Sequence, residues 1–224
     1  MFDENKSSDI LFSYEGFVGN VFYDNHDMPK LIHDFDSNAK IIISLRSQFS
    51  IIYSHYAYLF LKSGYYNKFQ QYVKAIIKND KFNYYKTISE YLRYFDKESL
   101  LILYYEAMQK NIDAYLHSIL KFIQISYCNL ELPNHNINRS FDRYKIQLLR
   151  LNNYLFYNNP KIRDFARKNL INKFTKATYN LDMIISKYFP IKNELYHEVY
   201  NFYNVKNRLF IRDIDQTMSK YNYL

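Results

Sequence analysis

Residues 40–62 constrain the fold more than any other stretch. Lys40 is followed by Ile41-Ile42-Ile43-Ser44-Leu45, a short apolar run rich in β-branched side chains. Such a run suits a strand buried on both faces. It stops at Arg46, and a nearly all-apolar segment then continues to Lys62. That segment is long enough for a helix of about four turns. A strand followed by a helix puts Arg46 at the strand's carboxyl end and Ser54 about two turns into the helix. In open α/β sheets, ligands bind outside the carboxyl ends of the strands. A planar guanidinium beside a hydroxyl donor is a sensible pair for a phosphate. The alternative makes Arg46 the partner of a carboxylate and Ser54 a helix filler.

The rest of the chain repeats the alternation. Asp9 to Tyr14 reads as a buried strand that ends in Glu15-Gly16-Phe17, where Gly16 permits a sharp turn. Residues 18–39 read as a loop with a short helix from Pro29 to Phe35. His26 and His33 lie there among Asp24, Asp27, Asp34 and Asp36, with no third ligand motif, so no metal site is expected. Gly64 ends the first long helix. Helices are expected over Tyr66–Lys78 and Asn83–Phe95, a strand over residues 99–105, and a helix from Asn111 to Ile125. Ser126 to Asn138 reads as a loop. Ser140 is a candidate N-cap for a helix running to Phe156. Pro160 starts a helical region to about Tyr188, Pro190 breaks it, and Lys192 to Ile214 is helical again. Buried strands alternating with helices indicate an α/β chain with a parallel sheet. No repeat or low-complexity linker divides it, so residues 1–224 are expected to form a single domain.

Composition narrows the function classes. Hydrophobic residues make up 48% and aromatic residues 20% of the chain, which excludes a disordered segment. The formal net charge of +8 admits an anionic ligand, a nucleic acid or an acidic surface. Lys161, Arg163, Arg167, Lys168, Lys173, Lys176 and Lys187 spread around a helical wheel instead of forming a stripe. They read as solvated surface, and nucleic acid is not the expected partner. Cys128 is the one cysteine, so neither an intrachain disulfide nor a cysteine-based zinc site is expected. Met1 to Asn5 is acidic and lacks a signal peptide's apolar core. The near-apolar run Ile51–Leu61 is too short to span a bilayer. A cytoplasmic chain without a membrane span is expected.

Two blocks carry a family resemblance. In the first, Arg46 and Ser54 are separated by seven residues, and Tyr53-Ser54-His55-Tyr56 follows the strand. In the second, Phe95-Asp96-Lys97-Glu98-Ser99 leads into Leu100-Leu101-Ile102-Leu103-Tyr104-Tyr105-Glu106. The first resembles the 3′-phosphate-binding segment of the sulfotransferase family, and the second resembles its later strand and Tyr-Glu phrase. Gln48 stands where the family usually has Pro, and Ile51 where a second Arg is common. Asn138-Arg139-Ser140 and the late Asn207-Arg208-Leu209 are similar to further parts of the family.

The resemblance implies a P-loop-like, sulfotransferase-type fold: a short parallel sheet flanked by many helices, with a helix-rich carboxyl half. It implies 3′-phosphoadenosine 5′-phosphosulfate as co-substrate, with Arg46 and Ser54 binding its 3′-phosphate. The acceptor it implies is a hydroxyl on a carbohydrate, lipid or small molecule. Glu15 is the candidate catalytic base, or else a turn carboxylate with no catalytic duty; His26 is the second candidate base. A complete member also carries a strand and a Gly-rich loop with a catalytic Lys, which cradles the 5′-phosphosulfate. No Gly-rich Lys-Ser or Lys-Thr loop occurs here, and neither Lys40 nor Lys62 has a spacing that argues for the role. The chain is therefore expected to be an amino-terminally truncated or degenerate sulfotransferase. The alternative is a non-catalytic module of the same fold that binds an acidic partner.

Overall fold

The computed structural model describes residues 28–62, 64–126, 143–174, 193–221 and 223. The strand expected over residues 9–14 lies outside them, as do Glu15 and His26. Two strands form the described sheet, β1 (Ile41–Leu45) and β2 (Leu100–Tyr104). They pair in parallel, with Ile41 opposite Leu100 and Leu45 opposite Tyr104. Their carboxyl ends therefore lie side by side.

Helices make up most of the remainder. α1 (Met28–Phe35) precedes β1, and α2 (Gln48–Lys62), α3 (Phe69–Lys78) and α4 (Tyr84–Tyr91) follow it. β2 leads directly into α5 (Tyr105–Lys110) and α6 (Ile112–Ile123). α7 (Arg143–Leu155), α8 (Pro160–Phe174) and α9 (Asn193–Asp213) complete the α-helices of the described residues. A 3-10 turn, Gln216–Tyr221, follows α9, and its Met218 packs in the cluster that holds β1.

Local sequence explains several boundaries. The Asn83 side chain accepts from Lys86 N–H at the start of α4, and Asn111 does the same for Ala114 at the start of α6. An asparagine amide oxygen satisfies one of the donors that a helix start leaves unpaired. Gly64 stands at φ +68° just beyond α2, and a Cβ there would overlap the Arg163 guanidinium. Both the backbone angle and the close approach favour glycine.

The core has two hydrophobic clusters. One joins Ile52, Tyr56 and Leu59 of α2 to Tyr72, Val73 and Ile76 of α3 and Leu149 of α7. The other joins Ile43 and Leu45 of β1 to Tyr84 and Ile88 of α4 and to Met218. α9 belongs to both: Leu195, Val199 and Tyr203 enter the first, and Phe210 and Ile214 the second. Their spacing keeps them on one side of the helix.

β1 differs from the two-faced burial expected of it. Ile43 and Leu45 are buried, while Ser44 between them is exposed. Ile41, Ile43 and Leu45 share the face packed against the second cluster. Over the other face lies α6, whose Tyr115 hydroxyl donates to Ser44 Oγ at 3.1 Å.

Candidate functional site

The site begins with one peptide group, the one that joins Arg46 to Ser47. Leu45 is the last strand residue and is buried, so the chain leaves the sheet at Arg46. The Arg46 carbonyl accepts from Tyr84 Oη at 2.5 Å. The Ser47 N–H donates to Glu106 Oε1 at 3.0 Å. Glu106 sits in the first turn of α5, directly after β2, which is why the parallel register brings it to the end of β1. Its other oxygen accepts from Tyr223 Oη at 2.7 Å. Burial pushes the Tyr84 and Tyr223 phenols well above their ordinary range, and the Glu106 charge adds to both. Both hydroxyls therefore remain donors at any working pH.

The Arg46 side chain lies between α2 and α5. Its Nε donates to Ser50 Oγ at 2.7 Å, and its Cζ lies 4.4 Å from the centroid of the Tyr105 ring. That geometry combines a charge-assisted hydrogen bond with a cation–π contact. No carboxylate forms an ion pair with Arg46 among the described residues. Its terminal N–H groups, which make the two-pronged face of the guanidinium, are thus available to an anion.

Ser54 lies one turn beyond Ser50 on α2, and both are half-buried. Residues four apart share a face of a helix. Arg46, Ser50 and Ser54 therefore follow one stripe from the strand end along α2. Arg46 contacts Ser50 and not Ser54. The sequence reading missed Ser50, although its position four residues after Arg46 and four before Ser54 was the available signal. Because Ser50 Oγ accepts from Arg46, its own proton points elsewhere and can be given to a ligand.

Other sequence candidates have different surroundings. His33 packs its ring against Phe95 at 5.5 Å between centroids and Tyr94 at 5.9 Å. Lys40 Nζ donates to the Phe122 carbonyl at 2.8 Å, away from the Arg46 stripe. No group of three His, Cys, Asp or Glu residues able to hold a metal exists among the described residues. No helix among them is long and apolar enough to cross a membrane.

Comparison with known proteins agrees with the geometry. The family model described as the sulfotransferase domain matches residues 22–195. No curated protein and no solved structure matches the chain. The matched span holds both strands, the Arg46–Ser47 peptide and the Arg46, Ser50, Ser54 stripe. The parallel pair, the helix-rich surround and this match together place the chain in the sulfotransferase domain family.

Proposed function

We propose that the chain binds 3′-phosphoadenosine 5′-phosphosulfate and transfers its sulfuryl group to a hydroxyl acceptor. Arg46 and Ser54 bind the 3′-phosphate in this reading, with Ser50 between them. The observation that carries it is the half-buried Arg46 guanidinium at the carboxyl end of β1, braced by Ser50 and Tyr105 and without an ion pair among the described residues. A half-buried guanidinium with no carboxylate partner among the described residues offers its forked N–H face to an anion. The donor types fit a phosphate dianion: a forked cation for two oxygens and hydroxyls for a third.

The reaction breaks the bond from sulfur to the bridging phosphate oxygen and forms one from sulfur to the acceptor oxygen. The acceptor's proton passes to a base, for which Glu15 is proposed and His26 is the second candidate. Arg46, Ser50 and Ser54 hold the far end of the nucleotide, so they supply position instead of charge stabilisation at the reacting bond. Donors at the reacting bond typically supply about 2.7–4 kcal/mol each. With no Gly-rich Lys loop in the sequence, transfer is expected to be slow. The acceptor is a hydroxyl on a carbohydrate, lipid or small molecule.

The test is transfer of labelled sulfate to a panel of phenolic, glycan and lipid acceptors. The expected result is nucleotide-dependent product at below about 1 s⁻¹, the lower end of typical turnover. Arg46→Ala should reduce it about 10- to 100-fold, the worth of a charge-assisted contact. Nucleotide binding with no transfer to any acceptor assigns the non-catalytic module instead. Absence of both overturns the proposal.

A further inference from the structure

We propose that Tyr223, acting through Glu106, positions the Arg46–Ser47 peptide for phosphate binding, so that Tyr223 is part of the nucleotide site. This inference rests on the reading of Arg46 as a 3′-phosphate ligand.

The argument starts from the planarity of one peptide. Its carbonyl and its N–H point in opposite directions and rotate together. Here both are held, the carbonyl by Tyr84 of α4 and the N–H by Glu106 of α5. Turning the plane breaks both bonds. The plane in turn fixes the backbone on the carboxyl side of Arg46, and with it the direction in which the arginine side chain leaves the strand.

Glu106 can hold this peptide only if its own carboxylate is held. Tyr223 does so from a position 117 residues away in sequence. Tyr223 is anchored at its other end: its carbonyl accepts from Asn207 Nδ2 at 2.6 Å. Asn207 and Gln48 exchange two hydrogen bonds, at 2.8 and 3.2 Å, and both are buried. Gln48 is the first residue of α2. The consecutive residues Arg46, Ser47 and Gln48 are thus each held by a side chain from another element. One of those holding residues, Asn207, and Tyr223, which contacts both Asn207 and Glu106, lie beyond residue 195, where the family match ends.

The arrangement also selects how an anion binds. The start of a helix normally offers its N–H groups to a phosphate. Glu106 already takes the Ser47 N–H, and its negative charge sits beside that helix start. A ligand phosphate is directed to the side-chain donors of Arg46, Ser50 and Ser54. Both oxygens of the half-buried Glu106 carboxylate are taken, one by the Ser47 N–H and one by the Tyr223 hydroxyl, which fits a positioning duty.

The experiment compares 3′,5′-bisphosphoadenosine with adenosine 5′-phosphate, by calorimetry on the full chain. The two differ only in the 3′-phosphate. Tyr223→Phe should weaken the bisphosphate about 5- to 10-fold, the worth of one hydrogen bond. The monophosphate should be unchanged. Glu106→Ala should lose at least as much selectivity. Glu106→Gln should retain it, because its amide oxygen still accepts from Ser47 while its NH₂ donates to Tyr223 Oη. If Arg46→Ala abolishes the preference while Tyr223→Phe and Glu106→Ala keep it, the positioning role is wrong and the Arg46 site stands. If Arg46→Ala also keeps the preference, the site itself is elsewhere and the inference falls with it. Equal weakening of both nucleotides together with a lowered melting temperature would reduce Tyr223 to a structural residue and overturn the proposal. Should Glu106→Ala fail to fold, Tyr223→Phe and Glu106→Gln decide the matter alone.

Discussion

Ser54 and His55 are adjacent, yet α2 turns them towards different surroundings. Ser54 continues the stripe of Arg46 and Ser50. His55 lies between the rings of Tyr58 and Tyr72, and its Nδ1 is hydrogen-bonded to the Tyr72 hydroxyl. Burial lowers the His55 pKa from its usual 6.5, because the charged ring loses hydration. The folded state therefore favours the neutral ring, and the unfolded state takes up the proton first as pH falls. The contribution of His55 to stability is complete above pH 6.5 and is lost as pH falls below that value towards the lowered one. Urea denaturation at pH 7.5 and pH 5 should show a drop in stability on acidification, and His55→Asn should make the drop smaller. An unchanged drop in that variant would show that other groups cause it. The sequence pointed to Arg46 and Ser54 as candidates because strand, arginine and helix are local patterns. It hid Tyr84, Glu106 and Tyr223 as partners of the site. They reach the Arg46–Ser47–Glu106 group across separations of 38, 59 and 117 residues, and no local pattern encodes such pairings.

Among the elements, α9 shows most clearly what spacing reveals and what it omits. The helix was expected over Lys192–Ile214 and is present over Asn193–Asp213. Its bridging of two clusters was not legible, since periodicity gives the apolar face but not what that face meets. Phe210 is 0% exposed in the second cluster, whereas Val205 is 66% exposed. Phe210→Ala should cost about 3–5 kcal/mol through lost burial and a cavity. Val205→Ala should stay within about 0.5 kcal/mol of the parent. Chemical denaturation measures both, and similar values for the two would contradict the packing described for α9. The strand expected over residues 99–105 is shorter by one residue at each end, and α5 begins at once at Tyr105. The Asn111 cap then starts α6 as a separate helix, which interrupts the α5 hydrogen-bond ladder. That break was signalled by Asn111, but the short helix before it carried too few residues to show a period.

At the scale of the whole molecule, the parallel register of β1 and β2 sets the site by aligning two strand ends. β1 brings Arg46, β2 leads into Tyr105 and Glu106, and Asn207 of α9 and Tyr223, beyond the 3-10 turn, reach Gln48 and Glu106 by hydrogen bonds. The formal charge of +8 favours approach of an anionic nucleotide, an effect that salt screens over about 8–10 Å. The parallel fold was legible because buried β-branched runs alternate with helices. The hydrogen bond from Tyr223 to Glu106 was not, because Tyr223 follows no motif. The proposed 3′-phosphate site at the end of β1 is tested most directly by calorimetric titration of 3′,5′-bisphosphoadenosine into the chain and its Arg46→Ala variant. Saturable binding that weakens by about 1.5–3 kcal/mol in the variant is the expected result. Equal affinity in the two proteins would contradict it.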